Sequence, residues 1–224
     1  MQDIDWGNIR LLIFDVDGTL YDQQRLRRRM FLDLAGHFLL RPGKWNELTI
    51  LRTFRKEREK NRDSKVADLD QAQYEWCRLK TGVNTDKIQE IVAYWMHEYP
   101  LKYLPDLVFP GISELFSGLR KLRIPVAVFS DYPAEKKLQS MGLTADLVAT
   151  AIQPEVNRLK PDPKGLLYIA NHFMVAAQDC LYIGDRFETD MEAATRARMN
   201  CIIADRKQIY AAGLYTQILS QLAR

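Results

Sequence analysis

The sequence has few cysteines and no long hydrophobic run. Cys77, Cys180 and Cys201 are far apart and odd in number, so they fit neither a disulfide framework nor the paired spacing of a zinc site. No uninterrupted apolar stretch approaches the ~20 residues that cross a bilayer, and the first ten residues lack the apolar segment of a signal peptide. These absences argue against a disulfide-stapled secreted domain and an integral membrane protein. They predict a cytoplasmic protein with no membrane partner.

The overall charge gives no reason to expect a nucleic-acid partner. The net charge is only +3, and 47% of the 224 residues are hydrophobic, which is an ordinary globular composition. A chain of this length predicts one domain, or one domain with a smaller insert. The positive charge is nevertheless concentrated, since residues 22–65 contain 13 Lys or Arg and 6 Asp or Glu. This stretch indicates either an anionic partner or a solvated helical face.

Short apolar runs alternate with amphipathic stretches over most of the chain. Four runs have the continuous hydrophobicity of strands buried on both faces, and a fifth run is weaker. The four lie at residues 11–14, 125–129, 180–183 and 201–204, and the weaker run lies at 146–152. Helical spacing is found between them at residues 113–122, 134–141, 163–172 and 188–198. The alternation predicts an α/β fold with a Rossmann-like core, in which helices cover both faces of a parallel sheet.

The region between the first two predicted strands breaks this alternation. It contains four amphipathic stretches rich in Arg and Lys, at residues 24–40, 44–61, 66–80 and 85–98. We find no convincing strand pattern there, and Pro-Gly and Thr-Gly pairs separate the stretches. The sequence therefore predicts an all-helical domain at residues 21–109, inserted into a core formed by residues 1–20 and 110–224.

Polar residues follow the ends of the predicted strands. Residues 15–20 (DVDGTL) follow the first strand, Ser130 follows the second, and Lys160 lies in the loop after the weaker strand. Asp185 follows the strand at 180–183, with Asp190 close behind. Because ligands bind at the carboxyl ends of the strands in open α/β sheets, these loops are expected to converge on one site.

The side chains in these loops suit phosphoryl transfer. Carboxylates such as Asp15, Asp17 and Asp185 supply the hard oxygen ligands that Mg²⁺ prefers. One carboxylate can attack phosphorus to form an aspartyl-phosphate, and a second can protonate the leaving oxygen and later activate water. Lys160 would offset the negative charge and bind a phosphoryl oxygen, and Ser130 would donate a hydrogen bond to the same group.

In order and spacing, these segments resemble the four motifs of the haloacid dehalogenase superfamily, in its phosphatase branch with a helical cap (phosphoglycolate phosphatase-like). The resemblance implies that Asp15 is the nucleophile and a metal ligand. It implies that Asp17 is the general acid and base and lends its backbone carbonyl to the metal. Ser130 and Lys160 would hold the phosphoryl group, and Asp185 would bind Mg²⁺.

The same resemblance gives a role to Asp190 and to the insert. Asp190 would be a carboxylate beyond the direct metal ligands that orients the metal site or Lys160. The insert would close over the substrate, expel water and supply specificity. Two questions stay open. Asp131 stands where many relatives have Asn or Gly, and its role is not indicated. At most one or two of the consecutive arginines can face a substrate, because they spread around a helix at Arg25, Arg27, Arg28 and Arg29.

The activity implied is a Mg²⁺-dependent phosphohydrolase that acts on a small anionic phosphomonoester, such as phosphoglycolate, a sugar phosphate or a nucleotide. The presence of Asp17 argues against dehalogenation, which needs no second aspartate. A phosphomutase stays open, as does a phosphate-binding protein without turnover. A phosphonatase with an imine-forming cap lysine also stays open, and its candidates are Lys44, Lys56, Lys60 and Lys65. The sequence does not indicate an oligomeric state.

Overall fold

A five-stranded parallel sheet forms the centre of the molecule in the computed structural model, which describes residues 4–224. The strands are β1 (Leu11–Phe14), β2 (Val126–Ser130), β3 (Leu147–Thr150), β4 (Cys180–Gly184) and β5 (Asn200–Ile203), in the spatial order β3-β2-β1-β4-β5. All four neighbouring pairs are parallel. Every residue of the central strand β1 is buried, as expected for a strand covered on both faces. The predicted α/β fold is confirmed.

Helices make up most of the rest of the chain. Their bounds are α1 Gln23–Leu40, α2 Trp45–Lys60, α3 Leu69–Thr81, α4 Thr85–Val92, α5 Ile112–Leu122, α6 Glu135–Ser140, α7 Lys164–His172, α8 Glu192–Ala197, α9 Arg206–Ala212 and α10 Leu214–Leu222. After α4 the chain continues as a π-helical segment, Ala93–Glu98, and a 3-10 segment, Tyr99–Leu107. Among residues 4–224, none of the helices combines the length and the apolarity needed to cross a membrane.

The alternating side chains of β1 contribute to two separate hydrophobic cores. Leu12 and Phe14 belong to a cluster that includes residues of α5 and α10, whereas Leu11 and Ile13 belong to one that includes residues of α7 and α8. The tight packing of the second face depends on Gly165 in α7, where an added Cβ would lie 2.1 Å from the Phe129 ring. With both faces covered, the carboxyl edge of the sheet is left for loops that carry polar side chains.

The helices α1 to α4 form a cap with a hydrophobic cluster of its own. Phe54 of α2, Cys77 of α3 and Ile88 of α4 are buried together in this cluster, and Trp95 completes it. The two connections between the core and the cap run next to each other. The Asp22 N–H donates to the Leu107 carbonyl, and the Phe109 N–H donates to the Leu20 carbonyl. This pairing supports the proposed domain boundaries at residues 20/21 and 109/110.

Candidate active site

The loops that follow four of the strands meet at the carboxyl edge of the sheet. Asp15 comes directly after β1, Ser130 is the last residue of β2, and Asp185 comes directly after β4. Lys160 lies in the long loop that follows β3. All four side chains reach one region because the strands are parallel and therefore end at the same edge.

Lys160 is the centre of a buried polar network and is only 1% exposed. Its Nζ lies 2.5 Å from Asp15 Oδ1, 2.7 Å from Asp190 Oδ1 and 3.1 Å from the Tyr182 hydroxyl. The three hydrogens of the ammonium thus have three acceptors. Burial alone would lower the pKa of Lys160, but Asp15 and Asp190 hold it well above its ordinary value. Lys160 is therefore charged and links the candidate nucleophile to Asp190.

Asp190 fixes the loop that follows β4. Its Oδ2 accepts the backbone N–H groups of Asp185 (3.1 Å) and Arg186 (3.0 Å), while its Oδ1 accepts the Tyr182 hydroxyl at 2.9 Å. Burial opposes ionisation, but the Lys160 charge and these hydrogen bonds lower the pKa of Asp190. Gly184 permits the close approach, since an added Cβ there would lie 2.4 Å from Asp190 Cβ. Asp190 is thus an ionised carboxylate that positions both Lys160 and the Asp185 backbone.

Three carboxylates approach closely enough to share a cation. Oxygens of Asp15, Asp185 and Asp190 lie within 4.8 Å of one another. Burial, together with the neighbouring carboxylates, raises the pKa of Asp15 to about 7 and that of Asp185 to about 6. Asp185 Oδ1 is buried without a hydrogen-bond partner among the described residues, and Arg186 Nε lies 3.9 Å from it. An unsatisfied carboxylate oxygen beside other buried acids fits the hard oxygen donors that Mg²⁺ takes.

The Asp17 carboxylate does not join that group within the described part of the chain. Its Oδ1 lies 2.5 Å from Lys137 Nζ and also accepts the Tyr21 hydroxyl. Burial would raise its pKa, but Lys137 and the two hydrogen bonds lower it. The side chain is thus held as an ionised partner of Lys137, which leaves its backbone carbonyl as the group that the resemblance assigns to the metal.

The loop after β2 is tied to the loop that carries Lys160. Asp131 Oδ1 accepts the Lys160 backbone N–H at 3.1 Å, and the Asp131 side chain is buried. Ser130, also buried, accepts the Tyr132 N–H through its Oγ at 3.2 Å. Asp131 therefore fixes the position of Lys160 relative to Ser130, which is a structural place for the residue whose role the sequence left open.

A cavity of about 560 Å³ lies between these loops and the cap. On the core side it is lined by Asp15, Asp17, Ser130 and Lys160. On the cap side, Arg27 lines it, whereas its neighbours Arg25, Arg28 and Arg29 do not. Asp185 and Asp190 are not among the lining residues. Asp190 is fully buried behind Lys160, whereas Asp185 is partly exposed beside Asp15 and Asp190.

Two arginines of the cap contact the loops that carry Ser130 and Lys160, one arginine for each loop. Arg58 donates to the Asp131 carbonyl, and its guanidinium lies 4.0 Å from the centre of the Tyr132 ring. Arg62 donates to the Lys160 carbonyl at 3.2 Å. These contacts hold the α2 end of the cap against the loops that carry Ser130 and Lys160.

Sequence reasoning missed Tyr182, Lys137 and Arg58. Tyr182 stands in the apolar run of β4, where an aromatic residue reads as core. Lys137 and Arg58 belong to amphipathic helices, where lysine and arginine usually face water. Because Lys137 and Arg58 are far in sequence from the residues that they contact, no sequence pattern predicted these contacts.

The chain matches the haloacid dehalogenase-like hydrolase family over residues 9–198. It is similar to the phosphoglycolate phosphatase of Pseudomonas putida, with 26% identity over 204 residues that cover 86% of this chain and 68% of that protein. It is also similar to the glyceraldehyde 3-phosphate phosphatase of Methanopyrus kandleri, with 23% identity over 197 residues that cover 85% of this chain and 82% of that protein.

In structure, the chain resembles the 2-haloacid dehalogenase of Pseudomonas syringae pv. Tomato. The TM-score is 0.62 at 19% identity, and the alignment covers 95% of this chain and 99% of the other. That likeness shows the shared fold, and the match along the sequence covers most of the chain. The chain therefore belongs to the haloacid dehalogenase-like hydrolase family.

Proposed function

We propose that this protein is a Mg²⁺-dependent phosphohydrolase that acts on small phosphomonoesters through an aspartyl-phosphate on Asp15. The observation that carries the proposal is the setting of the Asp15 carboxylate. It is buried at the end of β1, it lies 2.5 Å from the Lys160 ammonium, and it lines the cavity. A nucleophilic carboxylate needs this combination of fixed orientation, a nearby cation and access to the substrate.

Two donors orient Asp15 for attack. Lys160 Nζ contacts Oδ1, and the Thr19 hydroxyl donates to Oδ2 at 3.3 Å. In the first step an Asp15 oxygen forms a bond to phosphorus, and the bond from phosphorus to the leaving oxygen breaks with its electron pair. Lys160 and Ser130 would stabilise the negative charge on the phosphoryl oxygens.

Asp17 would supply the proton to the leaving oxygen. It is ionised while Lys137 holds it at 2.5 Å, so it must gain a proton before it can act as an acid. An arriving phosphoryl dianion favours this change in two ways, because it raises the pKa of a nearby carboxylate and competes for the Lys137 ammonium. In the second step Asp17 would accept a proton from the water that attacks phosphorus, which releases phosphate and restores Asp15.

The metal would be held by the carboxylates of Asp15 and Asp185 and by the Asp17 backbone carbonyl. When bound, a magnesium ion neutralises negative charge between these carboxylates and the phosphoryl oxygens. Asp190 lies within the same acidic group but already accepts hydrogen bonds from Lys160, Tyr182 and two backbone N–H groups. Its role is therefore to position Lys160 and Asp185.

The other open activities find less support. The cap lysines that a phosphonatase could use are all exposed and do not line the cavity, namely Lys44, Lys56, Lys60 and Lys65. A phosphomutase would use the same aspartates but would return an isomeric phosphate ester and release no phosphate. Analysis of the products therefore separates the mutase from the hydrolase.

The test is phosphate release from a panel of phosphomonoesters, with Mg²⁺, by the wild type and Asp15→Asn. The amide cannot attack phosphorus, so turnover should fall at least ~1000-fold, equivalent to about 4 kcal/mol, with an unchanged circular dichroism spectrum. The matched control is Asp63→Asn, because Asp63 is exposed and lies outside the cavity lining. Wild-type-like hydrolysis by Asp15→Asn would overturn the proposal.

A further inference from the structure

The cap side of the cavity has features that select a particular kind of phosphomonoester. We propose that the substrate carries an apolar group about the length of one aromatic ring, ending in a second anionic group that binds Arg52 and Arg55. This inference rests on the proposed function and adds the chemical class of the leaving group to it.

Four arginines in or just after α2 line the cavity, and they fall into two pairs. Arg52, Arg55 and Arg58 recur at three-residue intervals and therefore share one face of α2, whereas Arg62 lies in the turn that follows the end of the helix at Lys60. Arg58 and Arg62 are engaged with the Asp131 and Lys160 carbonyls. Among residues 4–224, neither a hydrogen bond nor an ion pair holds the other two guanidinium groups.

The acidic side chains that line the cavity are already used. Glu59 pairs with Arg62, Asp131 accepts the Lys160 N–H, and Asp15 and Asp17 each hold a lysine. Within the described residues, Arg52 and Arg55 thus line a shared cavity as two like charges with no acid assigned to them. A carboxylate or phosphate on the ligand would supply the missing partner, and guanidinium groups bind such anions in a bidentate manner.

Apolar side chains also line this cavity. Met30 and Leu34 come from α1, and Trp95, Leu101 and Leu104 come from the segments that follow α4. Among these five side chains only Trp95 has an N–H donor, and its indole N–H already donates to Glu47 at 3.1 Å. An aromatic or aliphatic group would bury its surface against them, whereas they leave the hydroxyl groups of a sugar without hydrogen-bond partners.

The dimensions favour a ligand that is longer than a two-carbon acid. The volume of about 560 Å³ lies within the range of roughly 300–1,000 Å³ that holds drug-sized ligands. Arg58, which contacts the loop after Ser130, is three residues from Arg55 and six from Arg52 along α2. At a rise of about 1.5 Å per residue, the two unpartnered arginines lie roughly 5–9 Å farther along the helix axis. One aromatic ring between the two anions spans such a gap.

Binding of non-hydrolysable phosphonates to the Mg²⁺-loaded wild type tests this class without requiring turnover. The three probes are 4-(carboxymethyl)benzylphosphonate, 4-methylbenzylphosphonate, which lacks the second anion, and phosphonoacetate, which lacks the ring. Isothermal titration calorimetry should show that the first probe binds at least ~10-fold more tightly than either of the others. In the Arg52→Gln/Arg55→Gln variant, the affinity for 4-(carboxymethyl)benzylphosphonate should fall to within about 3-fold of the affinity for 4-methylbenzylphosphonate.

The matched control is Lys56→Gln, which removes an exposed positive charge of the same helix that does not line the cavity. This variant should keep the full preference. Equal binding of the three probes, binding of none of them, or a preference that survives in the arginine double variant would each overturn the inference. The hydrolase proposal would survive all three results, since it depends on Asp15-dependent phosphate release.

Discussion

The core side and the cap side of the cavity handle charge in opposite ways. On the core side, Lys160 and Asp190 are each no more than 1% exposed, and every hydrogen of the lysine ammonium meets an acceptor. On the cap side, Arg52 and Arg55 are exposed, and the described residues supply no partner for them. The first arrangement is organised before the substrate arrives, whereas the second is completed by a ligand.

This difference separates the chemistry from the choice of substrate. A group that must attack phosphorus has to be fixed in place, so the sheet and its loops hold it rigidly. Side chains that bind the rest of the substrate can remain solvated, because exposed ion pairs change stability by only about 0–1 kcal/mol. Substitutions on the core side should therefore cost both turnover and stability, and those on the cap side should alter binding.

Removal of the divalent cation should give the largest effect, and it acts on the core side. Phosphate release in excess chelator should fall at least ~1000-fold, equivalent to about 4 kcal/mol, because Asp15 and Asp185 then face the phosphoryl group with uncompensated negative charge. Asp185→Ala should weaken the activation by Mg²⁺ in a titration, whereas Arg52→Gln should leave it unchanged. Full activity in excess chelator would contradict the assignment of the acidic cluster.

The Mg²⁺ titration should also depend on pH. Because the pKa values of Asp15 and Asp185 are about 7 and about 6 without a cation, protons occupy these carboxylates increasingly as the pH falls below 7. Ligands must be deprotonated to bind metal, so the apparent affinity for Mg²⁺ should decrease from pH 7.5 to pH 5.5. A constant affinity across that range would show that these carboxylates do not bind the ion.

Lys160→Met should give the next largest effect. It leaves Asp15 and Asp190 buried without their counter-charge, which typically costs about 3–5 kcal/mol, and kcat should fall by roughly 10²–10³. Lys137→Met is the comparison, because it removes an equally short pair but deprives only Asp17 of a partner. Urea unfolding should therefore show a smaller loss for Lys137→Met, and equal losses would argue against a shared network around Lys160.

Arg58→Gln should show whether the cap contributes to turnover through its contact with the loop after Ser130. The change removes the donor to the Asp131 carbonyl and the contact with the Tyr132 ring. We expect kcat/KM to fall about 10-fold, equivalent to roughly 1.4 kcal/mol, in steady-state assays. Lys56→Gln is the control on the same helix. An unchanged kcat/KM for Arg58→Gln would mean that the contact serves only the stability of the fold.

A last effect, on stability, should come from His97, which lines the cap side of the cavity. Burial, followed by the positive charge of Lys137, lowers its pKa to about 4. In the unfolded chain its pKa is near 6.5, so between these values the unfolded state binds more protons and stability decreases as the pH falls. This contributes a loss of about 1–2 kcal/mol at pH 5 relative to pH 7. His97→Gln should show a smaller decline in urea unfolding, and an identical decline would mean that His97 titrates normally.

The core side could be predicted from the sequence far better than its supporting contacts could. Asp15, Lys160 and Asp185 stand directly after apolar runs or in the loops between them, so the topology of a parallel sheet brings them together. The hydroxyl of Tyr182 could not be predicted, because it lies in the same kind of run that marks a buried strand. The cap contacts of Arg58 depend on how the helices pack, which periodicity alone does not determine.

The contacts made by residues beyond 204 also could not be predicted from the sequence. Nothing in the sequence analysis assigned α9 and α10, yet Tyr215 of α10 is buried and donates its hydroxyl to the Thr19 carbonyl. Thr19 in turn donates to Asp15. A short helix distant from every motif thus supports the candidate nucleophile through a contact that only the folded chain shows.

The most direct test of the account is chemical capture of the phosphorylated aspartate. The Mg²⁺-loaded wild type would be mixed with its best substrate, quenched during turnover and treated with borohydride, which reduces an acyl phosphate to the alcohol. The peptide that contains Asp15 would then be examined by mass spectrometry. We expect homoserine at position 15, and none when substrate is omitted. An unmodified Asp15 in enzyme that releases phosphate at its full rate, with homoserine at another aspartate, would contradict the central claim.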